Sequence, residues 1–342
     1  MTILQINLND RPPLTHLKRL TTKDGIIQHA DLEVPDPSFG YSIDDNARAL
    51  IVCLWHYRQY QDPSILQLAE IYFNYLKKVE KEGGSFHNFL SFSEKVLDAE
   101  GSEDSIGRAF WALSETYAIH PDEDIREQAL DILKRTNINR HQDHIYLRTK
   151  AYILLGLVAL NKKDQIKTWA DQIVDGYEKT RSDDWEWFED HLCYANGALP
   201  HALATAYENT GEEKYLEIAK KTFDWLEKTS RIYDHPAPIG QNGWYYRGRE
   251  KALYDQQPLD AADMVLTANK LFEITKEEKY QKISEDWMNW YLGYNIQDKP
   301  LINEQTKGVY DALTPGGVNA NQGAESIVTF LMAFLDTVRL KK

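Results

Sequence analysis

Cysteine is nearly absent from this chain. The two present among 342 residues, Cys53 and Cys193, lie in apolar runs of helical periodicity, so buried free thiols are expected rather than a disulfide framework or a metal array. Positive charge is scarce as well. Lys and Arg number 39 against 53 Asp and Glu, for a formal net charge of −14. No Lys/Arg stripe is present, which argues against nucleic acid or an anionic membrane as partner. No apolar run reaches the roughly 20 residues that span a bilayer. The opening MTILQINLND lacks the basic-then-apolar layout of a secretory signal, and a cytoplasmic location is the expectation. No Pro/Gly/Ser-rich linker divides the chain, so one domain over residues 1–342 is expected. Missing too are a G-x-S-x-G elbow, a P-loop, an H-E-x-x-H helix, a dinucleotide glycine fingerprint and any Cys/His array of zinc spacing; neither a metal nor an organic cofactor is expected.

What the chain has in quantity is aromatic side chains, 9 Trp, 20 Tyr and 11 Phe, and apolar periodicity near 3.6 residues. The periodic segments come in two alternating kinds. One kind begins with unusual polar residues and then turns apolar on every face: residues 43–57 (IDDNARALIVCLWHY), 103–117, 147–160, 193–207 (CYANGALPHALATAY), 259–274 and 321–337. The other kind, at 64–81, 124–136, 164–180, 213–229 and 278–293, carries a single apolar stripe. A helix apolar all round must be covered on all sides, whereas a striped one faces solvent. Short acidic turns such as NTGEEKY (209–215) follow the first kind, and longer stretches such as 230–258 follow the second. Six inner helices, five outer ones and a short segment around LTHLKRL (14–20) therefore predict an all-α fold, an (α/α)6 barrel with its long loops where the inner helices begin. An open α-solenoid is the competitor, but it calls for a regular short period and bland loops, while this repeat varies over roughly 45 to 65 residues. Strand content is expected to be small, with a hairpin within 230–258, where GWYY (243–246) has β-type composition.

If the inner helices begin at one end, their first residues converge on the barrel axis. These include Asp44, Asp45 and Arg48; Asp104 and Arg108; Arg148; Glu186, Glu189, Asp190 and His191; Asp255, Gln257, Asp260 and Asp263; and Asn319, Asn321, Gln322 and Glu325. One acid per helix is explained by capping and by the helix dipole. Acids accompanied by amides, arginines and tryptophans suit carbohydrate chemistry better. Glycosidic cleavage needs one protonated carboxyl beside the leaving oxygen and one ionised carboxylate, with polar groups on sugar hydroxyls and an aromatic against the ring. The expected catalytic residues are Asp45 and Asp104 on the base side and Glu189 or Asp190 as proton donor. The donor choice rests on the neighbouring Trp185, Trp187 and Phe188, which lower local polarity. Asp44, Arg48, Arg108, Arg148, Trp185, Trp187, His191, Gln257, Asp260, Gln322 and Glu325 are the expected sugar contacts.

The stretches DGIIQHADLEVPDPSFGYSIDDNARALI (24–51), WEWFEDHLCYANGALPHAL (185–203) and NANQGAESIVTFLMA (319–333) resemble a bacterial family of glycosidase-like and glycosyltransferase-associated domains, itself similar to the six-hairpin glycosidases. The resemblance spans nearly the whole chain, and GYSIDDNARAL is its most specific part. It implies glycan processing on an (α/α)6 barrel, in the neighbourhood of mannoside metabolism, with a functional link to a glycosyltransferase or a glycoside phosphorylase. The leading expectation is thus a glycoside hydrolase acting on a small, mannose-containing oligosaccharide. Two alternatives stay open. A sugar epimerase or isomerase would set His191 and either His87 or His201 face to face across the pit as acid and base. A non-catalytic sugar-binding module serving a glycosyltransferase would need no carboxyl pair.

Overall fold

The computed structural model describes residues 11–139 and 146–341. Among these the chain forms twelve α-helices: α1 (Thr15–Leu20), α2 (Ile43–Tyr60), α3 (Leu66–Val79), α4 (Glu103–Ile119), α5 (Glu123–Arg135), α6 (Leu147–Ala159), α7 (Lys163–Thr180), α8 (Ala198–Thr210), α9 (Glu213–Thr229), α10 (Pro258–Thr275), α11 (Glu278–Trp290) and α12 (Ala324–Leu340). The even-numbered helices pack side by side in chain order, and α12 returns onto α2. That last contact closes the ring and excludes the open solenoid. Each odd-numbered helix from α3 to α11 packs outside the inner helix before it, and the short α1 covers α12, which makes the (α/α)6 barrel.

The two kinds of helix are buried as their patterns require. In α12 the buried Ile327, Val328, Phe330, Leu331, Phe334 and Leu335 point in all directions. In α9 the buried Tyr215, Ile218, Ala219, Thr222, Phe223 and Leu226 form one stripe at i, i+3, i+4 and i+7 spacing. The turns after inner helices are tight; α8, for example, ends at Gly211 with φ 75°, a left-handed C-cap that glycine adopts without Cβ strain. Among the described residues no helix is long and apolar enough to cross a membrane.

Two local expectations are revised. Helix α8 begins at Ala198, not at Cys193, because Ala195 has φ 50° and breaks the helical path. Asn196 then occupies the turn, its side chain accepting from the Cys193 N–H and donating to the Cys193 carbonyl. The expected hairpin within 230–258 exists as Arg231–Ile232 paired with His235–Pro236. The GWYY stretch does something else: Tyr245 and Tyr246 pair antiparallel with Leu192 and His191, tying the loop ahead of α10 to the loop ahead of α8.

Candidate active site

The first turn of α2 sets the chemistry of the barrel mouth. Ser42 caps the helix by accepting from the Asp45 N–H at 3.1 Å, and its own hydroxyl donates to Asp45 Oδ2 at 2.5 Å. This reciprocal cap fixes Asp45 on the inner side of the turn. One turn on, the buried Arg48 sends Nη1 to Glu325 Oε2 at 3.0 Å, with Asp45 Oδ1 at 3.6 Å from the same nitrogen. The first turns of α2 and α12 are thereby joined through one guanidinium.

Above this junction lies an open pit of about 510 Å³, bounded by Asp44, Asp45, Asp255, Gln257, Asp311 and Glu325, with Gln28, His29, Asn88, Phe89, Asn319 and Asn321 completing the wall. A single sugar residue or a disaccharide fits such a volume. Its walls are held by backbone. Gln28 and Leu32, ahead of α2, pair with Ala324 and Gln322 at the start of α12, and the Asn321 side chain accepts from the Leu32 N–H at 3.0 Å. Asp311 accepts from the Gly323 N–H at 2.7 Å and from the Ser326 hydroxyl at 2.8 Å.

Burial in this setting changes the acids. Asp45 is 4 % exposed, and desolvation lifts its carboxyl to about 7, with Glu325 and Asp44 adding repulsion against the opposing pull of Arg48 and the Ser42 hydroxyl. Asp44 is raised as well, chiefly by burial, although Arg108 stands 3.6 Å from its Oδ2. Glu325 stays 41 % exposed at the rim beside Arg48. Deeper on the axis, Arg48, Arg108, Tyr152, Asp263 and His201 line a much smaller hollow. Arg108 donates to Tyr152 Oη at 2.8 Å and lies flat over that ring. Asp263 is raised to about 6 by burial against the pull of Arg108, Arg48 and Arg148, and Asp260, three residues earlier in the same helix, is raised well above the usual carboxylate range by burial and by Asp263.

Of the expected residues the pit wall therefore gathers Asp44, Asp45, Gln257 and Glu325, with Arg48 and Arg108 just below. The others stand elsewhere. Asp104 is taken up as a double acceptor, from Thr149 Oγ1 and from Tyr194 Oη at 2.6 Å, and ties α4 to α6 and to the loop ahead of α8. Glu189 forms an ion pair with Arg148 at 2.7 Å, and Arg148 also donates to the Tyr194 carbonyl and to Asn196 Oδ1. Asp190 is 81 % exposed and pairs with His191, so the lowered polarity expected around it is absent. Trp185 and Trp187 are corrected from sugar platforms to core. They are 2 % and 0 % exposed and pack with Trp225 at 4.9 and 5.9 Å, because the segment folds back onto α9 before it enters α8. Gln322 is 1 % exposed, and its Oε1 accepts from Thr306; its side chain holds the loop ahead of α12 and does not face the pit. Asp260 is buried behind the wall.

Sequence reasoning passed over Gln28, His29, Asn88, Phe89 and Asp311. None of the five comes from the first turn of an inner helix: Phe89 sits in a two-residue strand paired with Ser42 and the others in loops, where helical periodicity carries no signal. Gln28 and His29 had a trace, inside the DGIIQHADLE stretch. The histidine pair of the epimerase alternative is not assembled: His87 bonds the Asp98 carbonyl, His191 stacks on Tyr246, and His201 lies in the deep hollow, where burial lowers it to about 3.

The fold and the pit define a six-hairpin (α/α)6 protein of the glycosidase-like kind. Residues 163–299, from α7 to just beyond α11, match the model of Glycosyl Hydrolase Family 88. No curated protein matches the chain in sequence. Among solved structures the chain is similar to a cellobiose 2-epimerase from Bacillus thermoamylovorans (14% identity, 96% of this chain and 97% of that one, TM-score 0.73). It is similar also to a D-mannose isomerase (14%, 96% and 94%, TM-score 0.72) and to a GH76A alpha-1,6-mannanase from Salegentibacter (13%, 95% and 96%, TM-score 0.63). These solved structures share the (α/α)6 fold of this chain, and the Glycosyl Hydrolase Family 88 match supports a glycan-processing enzyme.

Proposed function

We propose that the protein is a glycoside hydrolase for a small, mannose-containing oligosaccharide, with Asp45 as proton donor and Glu325 as the ionised carboxylate. The observation that carries this is the contrast between two acids on one guanidinium. Asp45 is buried and raised to about 7, so it still holds a proton near neutral pH, while Glu325 is half-exposed and paired with Arg48 at 3.0 Å. A buried carboxyl that keeps its proton and an exposed carboxylate held by a guanidinium, both at one pit, supply the two groups that glycosidic cleavage uses. Asp45 protonates the departing oxygen, and Glu325 activates water or meets the sugar carbon from the other side. The assignment reverses the expected role of Asp45 and moves the partner from the loop ahead of α8 to the first turn of α12.

Asp44, Asp255, Gln257 and Asp311 supply acceptors for hydroxyls, and among the described residues Phe89 is the one carbocyclic aromatic on the pit wall, which suits the apolar face of a pyranose. Mannose is favoured by the resemblance of the three sequence stretches and by the fold shared with a mannanase. The deciding experiment is product analysis on manno- and gluco-oligosaccharides with wild type, Asp45→Asn and Glu325→Gln. Loss of about 10²–10⁴-fold in kcat is expected for each variant. Full activity in both would remove this site. Interconversion of a free sugar with no cleavage would move the protein to the epimerases instead.

A further inference from the structure

Outside the pit, the segment that delivers α8 brings together three side chains that the hydrolase reading does not use. Glu189, His191 and Cys193 stand at alternate positions of this segment, and their ligand atoms lie within 4.8 Å of one another. We propose that Glu189, His191 and Cys193 form a binding site for a divalent metal ion of the zinc class within the segment ahead of α8.

The surroundings are built as a metal site requires. Asp190 Oδ1 stands 2.8 Å from His191 Nδ1. A carboxylate behind a metal-bound imidazole is the commonest second partner of such a ring; it fixes the tautomer and leaves the Nε2 lone pair for the metal. The ring is fixed a second time by Tyr246, which stacks on it at 5.3 Å with the planes 21° apart. Arg148 holds Glu189 through Oε2 only, so the other carboxylate oxygen remains as a ligand. A carboxylate, an imidazole and a thiolate form a donor set suited to zinc or cobalt, with the fourth position left to water. Ligand atoms around tetrahedral zinc stand about 3.3–3.8 Å apart, so side-chain rotations of roughly 1 Å close the site.

Charge supports the same conclusion. With the metal in place and Cys193 as thiolate, the three anions Glu189, Asp190 and Cys193 are balanced by Arg148 and the dication. The spacing Glu-x-His-x-Cys follows no zinc-finger pattern, which is why a search for such patterns passes over it.

The test is a cobalt titration of the full chain after dialysis against a chelator. One equivalent of Co²⁺ is expected to bind and give a thiolate-to-cobalt charge-transfer band in the near ultraviolet, displaced by Zn²⁺. Cys193→Ser is expected to abolish the band, Cys53→Ser to leave it, and His191→Ala to weaken binding at least about tenfold. His191 is partly exposed, so its variant should stay folded and keeps the test decisive if Cys193→Ser does not. Absence of saturable one-equivalent binding overturns the proposal, as does a band that survives in Cys193→Ser. Because the readouts are absorbance and stoichiometry, failure here leaves the hydrolase reading standing, and failure of that reading leaves this site standing.

Discussion

If Asp45 is held protonated by burial, removing its charge should stabilise the protein at alkaline pH while destroying its activity. In the unfolded chain the carboxyl titrates near its ordinary value of 3.8, and in the folded protein near 7. Below 3.8 both states hold the proton and the group is neutral to stability. Between the two values only the unfolded state ionises, so folding loses free energy as pH rises, and above 7 the full penalty is present. A difference of roughly three pK units corresponds to about 4 kcal/mol at 1.36 kcal/mol per unit. Between pH 4.5 and pH 8 the change is about 3 kcal/mol. Asp45→Asn keeps the shape of the side chain and an acceptor for the Ser42 hydroxyl but cannot ionise. Any pH-independent cost of the amide cancels when the same variant is compared at two pH values. Urea unfolding of wild type and Asp45→Asn at pH 4.5 and 8 should thus show the variant gaining about 3 kcal/mol relative to wild type at the higher pH. By melting this amounts to about 4–5 °C for a chain of this length. A variant whose stability relative to wild type is the same at both pH values would refute a raised Asp45 and, with it, the choice of proton donor.

The same raised acid predicts that kcat/KM of the wild type falls above about pH 7 as Asp45 loses its proton; a pH–rate profile flat to pH 9 would contradict the assignment. Phe89→Ala should raise KM for the oligosaccharide roughly 2–10-fold with little loss of stability, because the ring lines the pit. Trp187→Ala should act the other way, costing about 3–5 kcal/mol of unfolding free energy by opening a cavity among Trp225 and Phe188. Arg148→Met should cost about 3–5 kcal/mol in chemical denaturation, since it leaves Glu189 and Asn196 without their buried partner.

The architecture was legible in the order of the residues. Apolar residues on every face of 327–335 can be covered only by an inner position, and the stripe of α9 only by an outer one, so alternation alone dictated a double layer. The Ser42 cap that starts α2 is equally local, set by a side chain three residues from the N–H it accepts. Whether the ring closes is not local. It depends on α12 meeting α2, two segments almost a chain length apart. The site divides along that line. Asp44, Asp45, Gln257 and Glu325 lie in or beside the first turns of inner helices, so helical phase carried them to the mouth. Trp185, Trp187 and Gln322 have the composition of a binding surface, but a side chain's direction in an irregular loop is set by what packs against it, and here that is Trp225 and Thr306. Proton affinity follows the same rule: nothing in the order of residues marks Asp45 as an acid that holds its proton, and burial at 4 % exposure is what raises it. Sequence thus determined the double layer of helices and the end at which the long loops gather, because periodicity is a local property; folding decided that the ring closes, which acids face the pit and which of them are desolvated, because those contacts come from residues distant in the chain.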